Sequence, residues 1–360
     1  MAKEKITAGL LTEVEIGGAV DLLKEVFEET GAQKRSLMNK DFYRWQYIDT
    51  RSPVVVAREG KAIVAHYPLT TYNFLLGKEV GKTAVIQDLV TKSDCRKRGA
   101  FKLMGDVANE VCEKYKYDLI YAFPNPKSFP GFVKHHGYTH LLTIPLFVSP
   151  VSLSEIVRAK LKFPPAAWPF KPIDYLLRIF TRRKSGRFKV EEHDAVPEGI
   201  DRLWESSKDK YGSALVRDSG YVRWRFRGRP GSVYRIFTAT DGDEIVAYAV
   251  LGSGLFFGLP TAVIMDFFAA EGKDGLRAFK YLIREIKGAA HERGDGLILT
   301  ATRAESGINR VLYRAGFIRV PDPVNPRKLK LVVRPISGRA KKYVLSKREW
   351  FLTLADWDVL

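Results

Sequence analysis

The sequence predicts an α/β protein with a mixed sheet and helices on both faces, built as two tandem copies of one domain. Three observations predict it. Short segments repeat in order at a nearly constant offset. Strand-like runs alternate with amphipathic helices inside each copy. A buried strand and a helix are joined by a short basic loop containing glycine.

The repeat organises the chain. Phe42-Tyr43-Arg44-Trp45 returns as Tyr221-Val222-Arg223-Trp224, 179 residues on. Ile63-Val64-Ala65-His66-Tyr67 matches Ile245-Val246-Ala247-Tyr248-Ala249 at an offset of 182, and Ile86-Gln87-Asp88-Leu89 matches Ile264-Met265-Asp266-Phe267 at 178. Gly137-Tyr138 and Gly316-Phe317 are again 179 apart. We therefore expect a first domain over 1–150, a linker over 151–190 and a second domain over 191–360.

The elements of the first copy follow in order. Val20, Leu23, Val26 and Phe27 recur at helical spacing. Val54–Ala57 and Ala62–Ala65 around Glu59-Gly60 read as a hairpin. Tyr72–Leu76 and Lys82–Ile86 around Gly77 form a second strand pair. Gly99 opens a helix through Tyr115, striped by Phe101, Leu103, Met104, Val107, Ala108 and Val111. Leu119–Phe123 reads as a buried strand. A short helix over 128–136 ends at Gly137, a natural C-cap, and a last strand covers 139–148.

Composition bounds the class. Hydrophobic residues make up 46% of the 360, enough for packed cores. No apolar run approaches the roughly 20 residues of a membrane span. Met-Ala-Lys-Glu-Lys leads into no secretory h-region, and two lone cysteines, Cys95 and Cys112, fit a reducing compartment, so a cytoplasmic location is expected. The net charge of +18 favours anionic partners. Segment 151–190 carries ten Lys or Arg against two acids, with Phe163, Trp168, Phe170, Tyr175 and Phe180 among them. Ile173, Leu176, Leu177 and Phe180 can share a helix face near Arg178, Arg182 and Arg183. The preferred reading is a linker packed on the domains, because Pro164, Pro165, Pro169 and Pro172 interrupt any long helix. The alternative is peripheral contact with a membrane.

The chemistry lies in one loop. Val85–Val90 reads as a strand; Arg96-Lys97-Arg98-Gly99-Ala100-Phe101 opens the next helix. A helix N-terminus offers unpaired N–H groups and a positive dipole end, where phosphate binds readily. Gly99 lets backbone approach an oxygen closely, and the three cations add charge suited to a pyrophosphate. The bland alternative is a basic loop before an ordinary helix.

Strand, R-x-x-G-x and helix in this order resemble the acyl-CoA motif of the GNAT acyltransferase superfamily, whose pattern is [QR]-x-x-G-x-[GA]. Phe101 departs from it at the last position. A group of bacterial two-domain GNAT proteins is similar elsewhere as well: in Tyr43-Arg44-Trp45, in Phe123-Pro124-Asn125 with Ser128, and in Trp350-Phe351-Leu352-Thr353 with Asp356 and Asp358. The resemblance implies an acetyl-CoA or other acyl-CoA co-substrate. Leu89 and Val90 would pair their backbone with its pantetheine arm. The amides of Arg98, Gly99, Ala100 and Phe101 would hold the pyrophosphate, helped by the Arg96 and Lys97 charges. Asn125 would line the thiol region, and Phe132 would lie against the cofactor.

Acyl transfer to an amine needs a base for the amine and an acid for the departing thiolate. The tyrosine that many GNAT enzymes use as acid falls on Val133 here, so Tyr121, Tyr138 and Ser128 are the substitutes. Asp88 is the preferred base, against the reading of a structural aspartate. His66 is an outside candidate. His135, His136 and His140 match no standard zinc spacing, and no metal is expected. The second copy has Ala269-Ala270-Glu271-Gly272-Lys273-Asp274-Gly275 where the basic loop should be, and its two acids would repel a pyrophosphate. One cofactor site per chain is expected, with a small-molecule amine or amino sugar as acceptor and no nucleic-acid partner. Two other readings stay open: a GNAT-fold binding protein without catalysis, and an aminoacyl-tRNA-dependent transferase whose cations meet tRNA phosphates.

Overall fold

The computed structural model describes residues 4–30, 38–161, 164–181, 186–231, 233–304, 306–325, 328–346 and 350–357. Phe163, Arg182, Arg183 and Asp358, and the side chains of Leu177, Arg178 and Phe180, lie outside the described set.

In the first copy, β1 (Ile6–Leu10) precedes helix α1 (Ile16–Thr30), the turn α2 (Lys40–Tyr43) and a π-helical turn, Arg44–Ile48. Four strands follow, β2 (Val54–Glu59), β3 (Ala62–Pro68), β4 (Thr70–Leu76) and β5 (Glu79–Ile86), then the short β6 (Val90–Thr91). Helix α3 (Ala100–Lys114) leads to β7 (Leu119–Ala122), α4 (Phe129–His135), β8 (Thr139–Ile144) and β9 (Leu146–Pro150). The expected single strand over 139–148 is two strands. Pro145, with no N–H to give a ladder, separates them, and they enter different sheets.

The linker forms α5 (Leu153–Leu161), a 3₁₀ turn over Pro164–Phe170 and α6 (Lys171–Thr181). The second copy repeats the first: β10 (Lys189–His193), α7 (Ile200–Ser207), β11 (Ser213–Leu215), α8 (Ser219–Val222) and a π-helical turn at Arg223–Arg227. Then come β12 (Arg235–Asp241), β13 (Glu244–Phe256), β14 (Leu259–Ala269), α9 (Gly272–Glu292), β15 (Leu297–Ala301), α10 (Ser306–Arg314), β16 (Ile318–Arg319), β17 (Leu329–Pro335) and α11 (Gly338–Val344). Among the described residues no helix is long and apolar enough to cross a membrane.

The copies exchange strands. The first main sheet runs β11-β4-β5-β7-β17-β8, so a strand from the end of the chain sits between β7 and β8. The second runs β10-β12-β13-β14-β15-β9-β16, with β9 of the first copy between β15 and β16. Each exchanged strand fills the same position in the other copy. Trp45 and Trp224 meet where the copies face one another: the rings stack at 5.0 Å, and each indole N–H donates to the other's carbonyl oxygen, at 3.1 and 3.2 Å. Reciprocal contacts of equivalent residues mark a pseudo-twofold axis.

The first copy also divides into two sheets. β5 pairs with β7 in parallel up to Ile86 opposite Ala122. The chain then leaves that sheet, and β6 joins a four-stranded sheet, β1-β2-β3-β6, through His66 opposite Val90. Asp88 sits in the break with φ +50°, a left-handed conformation uncommon outside glycine. The result is a splay between residues 87–91 and the segment after Ala122. α3 and α4 cover one side of the first main sheet, and the second copy covers the other.

Trp45 is 6% exposed, and truncating a buried tryptophan costs about 3–5 kcal/mol. We expect Trp45→Ala to lower unfolding stability by about 3 kcal/mol in urea titrations. A loss below about 1 kcal/mol would remove the indole pair as a main clasp between the copies.

Candidate active site

The basic loop, the candidate anion cradle, is shaped by its backbone more than by its arginines. Lys97 (φ +63°) and Gly99 (φ +84°) both adopt the left-handed conformation, which turns the chain into α3. The α3 ladder opens with Leu103 N–H donating to Gly99 O at 3.0 Å, so the amides of Ala100, Phe101 and Lys102 precede it. A Cβ added to Gly99 would meet nothing within 4 Å, so the space beside the helix end is open.

The arginines mostly brace the loop. Arg98 makes a forked pair with Glu59, at 2.6 and 3.1 Å, and donates to Glu4 O at 3.0 Å. That carboxylate holds the Arg98 guanidinium above its usual pKa. Arg96 donates to Thr91 O at 3.1 Å and reaches Glu29 at 3.5 Å. Lys97 is exposed at the turn, as is Arg96. Charge on Arg96 and Arg98 is thus shared with the acids Glu29 and Glu59, which brace the loop.

Phe101, at the position where the family pattern has Gly or Ala, turns toward α4. Its ring stacks on His136 at 4.2 Å and meets Phe132 edge-on at 5.6 Å. Gly131 makes room for it: a Cβ there would lie 2.7 Å from the Phe101 ring. Phe132, expected against the cofactor, is 2% exposed inside this aromatic cluster, where it supports the α3–α4 packing.

Beyond the loop, the edge of β6 away from β3 has no strand partner, because β7 has diverged. Leu89 and Val90 lie on that edge. Across the splay, Asn125 is exposed, and its carbonyl Oδ1 accepts from the N–H groups of Lys127 and Ser128 at 2.9 and 3.0 Å, starting α4. The Ser128 hydroxyl donates to the same residue at 3.3 Å. Val133, on α4, is 38% exposed.

Asp88 lies between these walls. Its carboxylate accepts from Tyr47 OH at 2.5 Å and from Gln46 Nε2 at 3.4 Å. Its carbonyl accepts from His66 Nδ1 at 3.0 Å, which leaves the other nitrogen of a neutral ring to accept from Tyr43 OH, also at 3.0 Å. His66 is fully buried in this bridge. Burial and then the Asp88 charge push the Tyr43 phenol well above its usual pKa. Gln46 is 1% exposed, and its Oε1 has no hydrogen-bond partner among the described residues. Tyr43, Gln46 and Tyr47 were not singled out as site residues by sequence; their only signal was the repeated Tyr43-Arg44-Trp45 segment, whose π-helical turn aims them at the break in the strand.

The two tyrosines expected as acids do not join this group. Tyr121 is fully buried between the copies and donates to Asp356 O at 3.4 Å; burial raises its phenol well above the ordinary value. Tyr138 is 3% exposed on the opposite side of the sheet, its OH 3.4 Å from Tyr67 OH, and burial raises it likewise. Neither hydroxyl is at a surface where a thiolate could meet it. No group of His, Cys, Asp or Glu suited to a metal occurs among the described residues. His136 instead donates through Nε2 to Phe101 O at 3.1 Å.

A second cavity, of about 350 Å³, opens between the copies. Tyr72, Tyr221 and Trp224 give it aromatic walls, Asp218 a carboxylate, and Thr50 and Asn73 further polar groups. Thr50 closes the π-helical turn, its hydroxyl donating to Gln46 O at 2.9 Å.

In the second copy the equivalent aspartate is sealed. Asp266 is fully buried, receiving Arg217 Nε at 3.0 Å, Tyr248 OH at 2.8 Å and Thr353 Oγ1 at 2.7 Å. The first turn of α9 carries its own acid, Asp274, paired with Arg187 at 3.1 Å.

Two outcomes follow. Burial lowers the His136 pKa from 6.5 to about 4. Protonation then favours the unfolded chain, so His136 contributes stability in full above pH 6.5 and loses it as the pH falls toward 4. We expect the urea midpoint to drop between pH 7 and pH 5, and His136→Asn to flatten that drop; an equal drop in both proteins would refute the assignment. Any residue other than glycine at position 99 is strained at φ +84°, and a carboxylate there also meets the anion cradle. Gly99→Asp should weaken coenzyme A binding by at least about tenfold in calorimetry, while unfolding stability falls by only about 1 kcal/mol.

Comparison with known proteins agrees with this geometry. The family model for the acetyltransferase (GNAT) domain matches residues 8–141. A conserved protein from Enterococcus faecalis V583, described as a probable N-acyltransferase, has a similar solved structure, with TM-score 0.63 and 12% identity, over 92% of this chain and 72% of that one. A GCN5-related N-acetyltransferase from Anabaena variabilis is similar with TM-score 0.66 and 9% identity, over 94% and 75%. Saccharomyces cerevisiae N-myristoyltransferase with bound myristoyl-CoA is similar with TM-score 0.58 and 11% identity, over 92% and 83%. At such identities the likeness is one of fold. No curated protein matches the sequence. Residues 8–141, which hold the basic loop and the splayed strands, thus match the GNAT acetyltransferase domain, and the chain as a whole shares the fold of these acyltransferase structures.

Proposed function

We propose that the protein is an acyl-CoA-dependent N-acyltransferase, with acetyl-CoA or another acyl-CoA as donor and the amine of a small molecule or amino sugar as acceptor. One observation carries the reading: the open N-terminus of α3, with its left-handed Gly99, stands beside the unpaired edge of β6 and the splay at Asp88. Phosphate, an extended amide-bearing arm and a reacting thioester call for such a sequence of sites. The second copy, with Asp266 sealed and Asp274 at its helix end, acts as a non-catalytic support.

The acceptor enters by the cavity between the copies. Its aromatic walls and the Asp218 carboxylate suit an ammonium group. The amine nitrogen attacks the thioester carbon, the C–S bond breaks, and the proton lost by nitrogen ends on the thiol. Asp88 is the base for that proton, directly or through a water, with Tyr47 fixing its orientation. The unpartnered Gln46 Oε1 would accept the second N–H of the amine.

The reading is tested by calorimetry with acetyl-CoA, followed by thiol release in the presence of a panel of amines. Wild type should bind and turn over. Asp88→Asn should keep the binding and lose about a hundredfold or more in kcat. Unchanged turnover would return Asp88 to a structural role. Binding without transfer to any amine would favour a non-catalytic binding protein, and salt-dependent tRNA affinity without coenzyme A affinity would favour aminoacyl transfer.

A further inference from the structure

The described first half of α6 turns apolar side chains outward: Asp174 is buried, 6% exposed, while Ile173, Tyr175 and Leu176 are 42%, 59% and 54% exposed. The orientation is locked by hydrogen bonds: Asp174 accepts from the amides of Leu153 and Ser154, at 2.6 and 3.1 Å, and from Ser152 Oγ at 2.9 Å, capping α5. Its acid is therefore consumed inside, and the side chains of Ile173, Tyr175 and Leu176 are presented to solvent. Trp168 and Leu161, in the segments that pack with α6, are 66% and 63% exposed.

A second element extends this face. Lys160 Nζ donates to Phe257 O at 2.7 Å, which ties the end of α5 to the turn between β13 and β14. Phe257 and Gly258 both have positive φ, +54° and +73°. A two-residue hairpin turn of that kind prefers Asn or Gly at its first position. Here a phenylalanine stands there with its side chain 53% exposed. A protruding phenyl at a conformational cost is hard to explain by folding alone.

We infer that this face, made by α5, the Pro164–Phe170 turn, α6 and the Phe257 turn, seats on the surface of an anionic lipid bilayer. Charge selects the occupant. Segment 151–190 has ten Lys or Arg against two acids. Of those acids, Asp174 is buried and Glu155 lies 3.3 Å from Arg158. Among the described residues of this face, Arg158, Lys160 and Lys171 are exposed beside Leu161, Trp168, Tyr175 and Leu176, the combination that an acidic headgroup layer and its acyl boundary satisfy together. A second copy would bring another +18 chain against the first. A nucleic acid would take the charge and leave Leu161, Ile173 and Leu176 in water.

The test uses the full-length chain and sedimentation with large vesicles. Vesicles of equal parts phosphatidylcholine and phosphatidylglycerol should carry the protein down, and pure phosphatidylcholine should carry about tenfold less. The double variant Trp168→Ser, Leu176→Ser changes exposed positions and should keep its fold and coenzyme A binding while losing about tenfold in partitioning onto the acidic vesicles. Brominated acidic lipids should quench wild-type tryptophan fluorescence more than that of Trp168→Phe. No binding to acidic vesicles, or equal partitioning of the variant, overturns the inference. So does a dimer, seen by light scattering, that the variant dissolves, because the face would then belong to a second copy.

Discussion

The paired indoles of Trp45 and Trp224 constrain everything else. Each donates to the backbone of the other, so neither ring can shift without releasing its own hydrogen bond and the stack. Each also sits in a π-helical turn. The extra residue in such a turn re-aims its side chains. In the first copy that turn points Gln46 and Tyr47 at Asp88, so the clasp between the copies also sets the geometry of the proposed base.

Duplication supplied two starting points, and the copies have diverged through local charge. Asp88 accepts from the Tyr47 phenol and the Gln46 amide beside the splay. Asp266 meets an arginine that is itself bound to Asp356, and the whole set is out of water. A buried ion network of this kind resists removal of one partner far more than it adds to net stability. It fixes the C-terminal tail, and with it Trp357 against Phe123, at the far end of the splay. The second copy thus shapes one wall of the first copy's site.

The duplication, the hairpins and the long helix after Gly99 were legible, because repetition, periodicity and glycine placement are local signals. The strand exchange was not. A buried strand such as β9 carries the same alternation whichever sheet receives it, and only Pro145 hinted at a break. Side-chain roles that depend on distant partners were equally hidden. Nothing near Arg98 reveals that Glu59 will take its guanidinium, and nothing near Phe101 reveals that Gly131 leaves room for its ring. Tyr121 and Tyr138 carry hydroxyls suited to catalysis, but their strands place them in two different cores. Asp88 was found by its place in the repeat; its partners Gln46 and Tyr47 lie in a turn with no periodic signature.

The exchanged strands bear on how the protein is made. β7 must wait for β17, since Val333 lies opposite Tyr121 and Leu331 opposite Leu142. A ribosome delivers β7 and β8 long before β17, so the nascent first half emerges with a gap in its main sheet and with β9 unhoused. Both are sticky backbone edges until the last strands arrive. Assembly is therefore a single late event for the whole chain, dominated by contacts distant in sequence. A message cut short before β17 would leave β7 and β8 without the strand that lies between them, and the first copy's main sheet would stay open there.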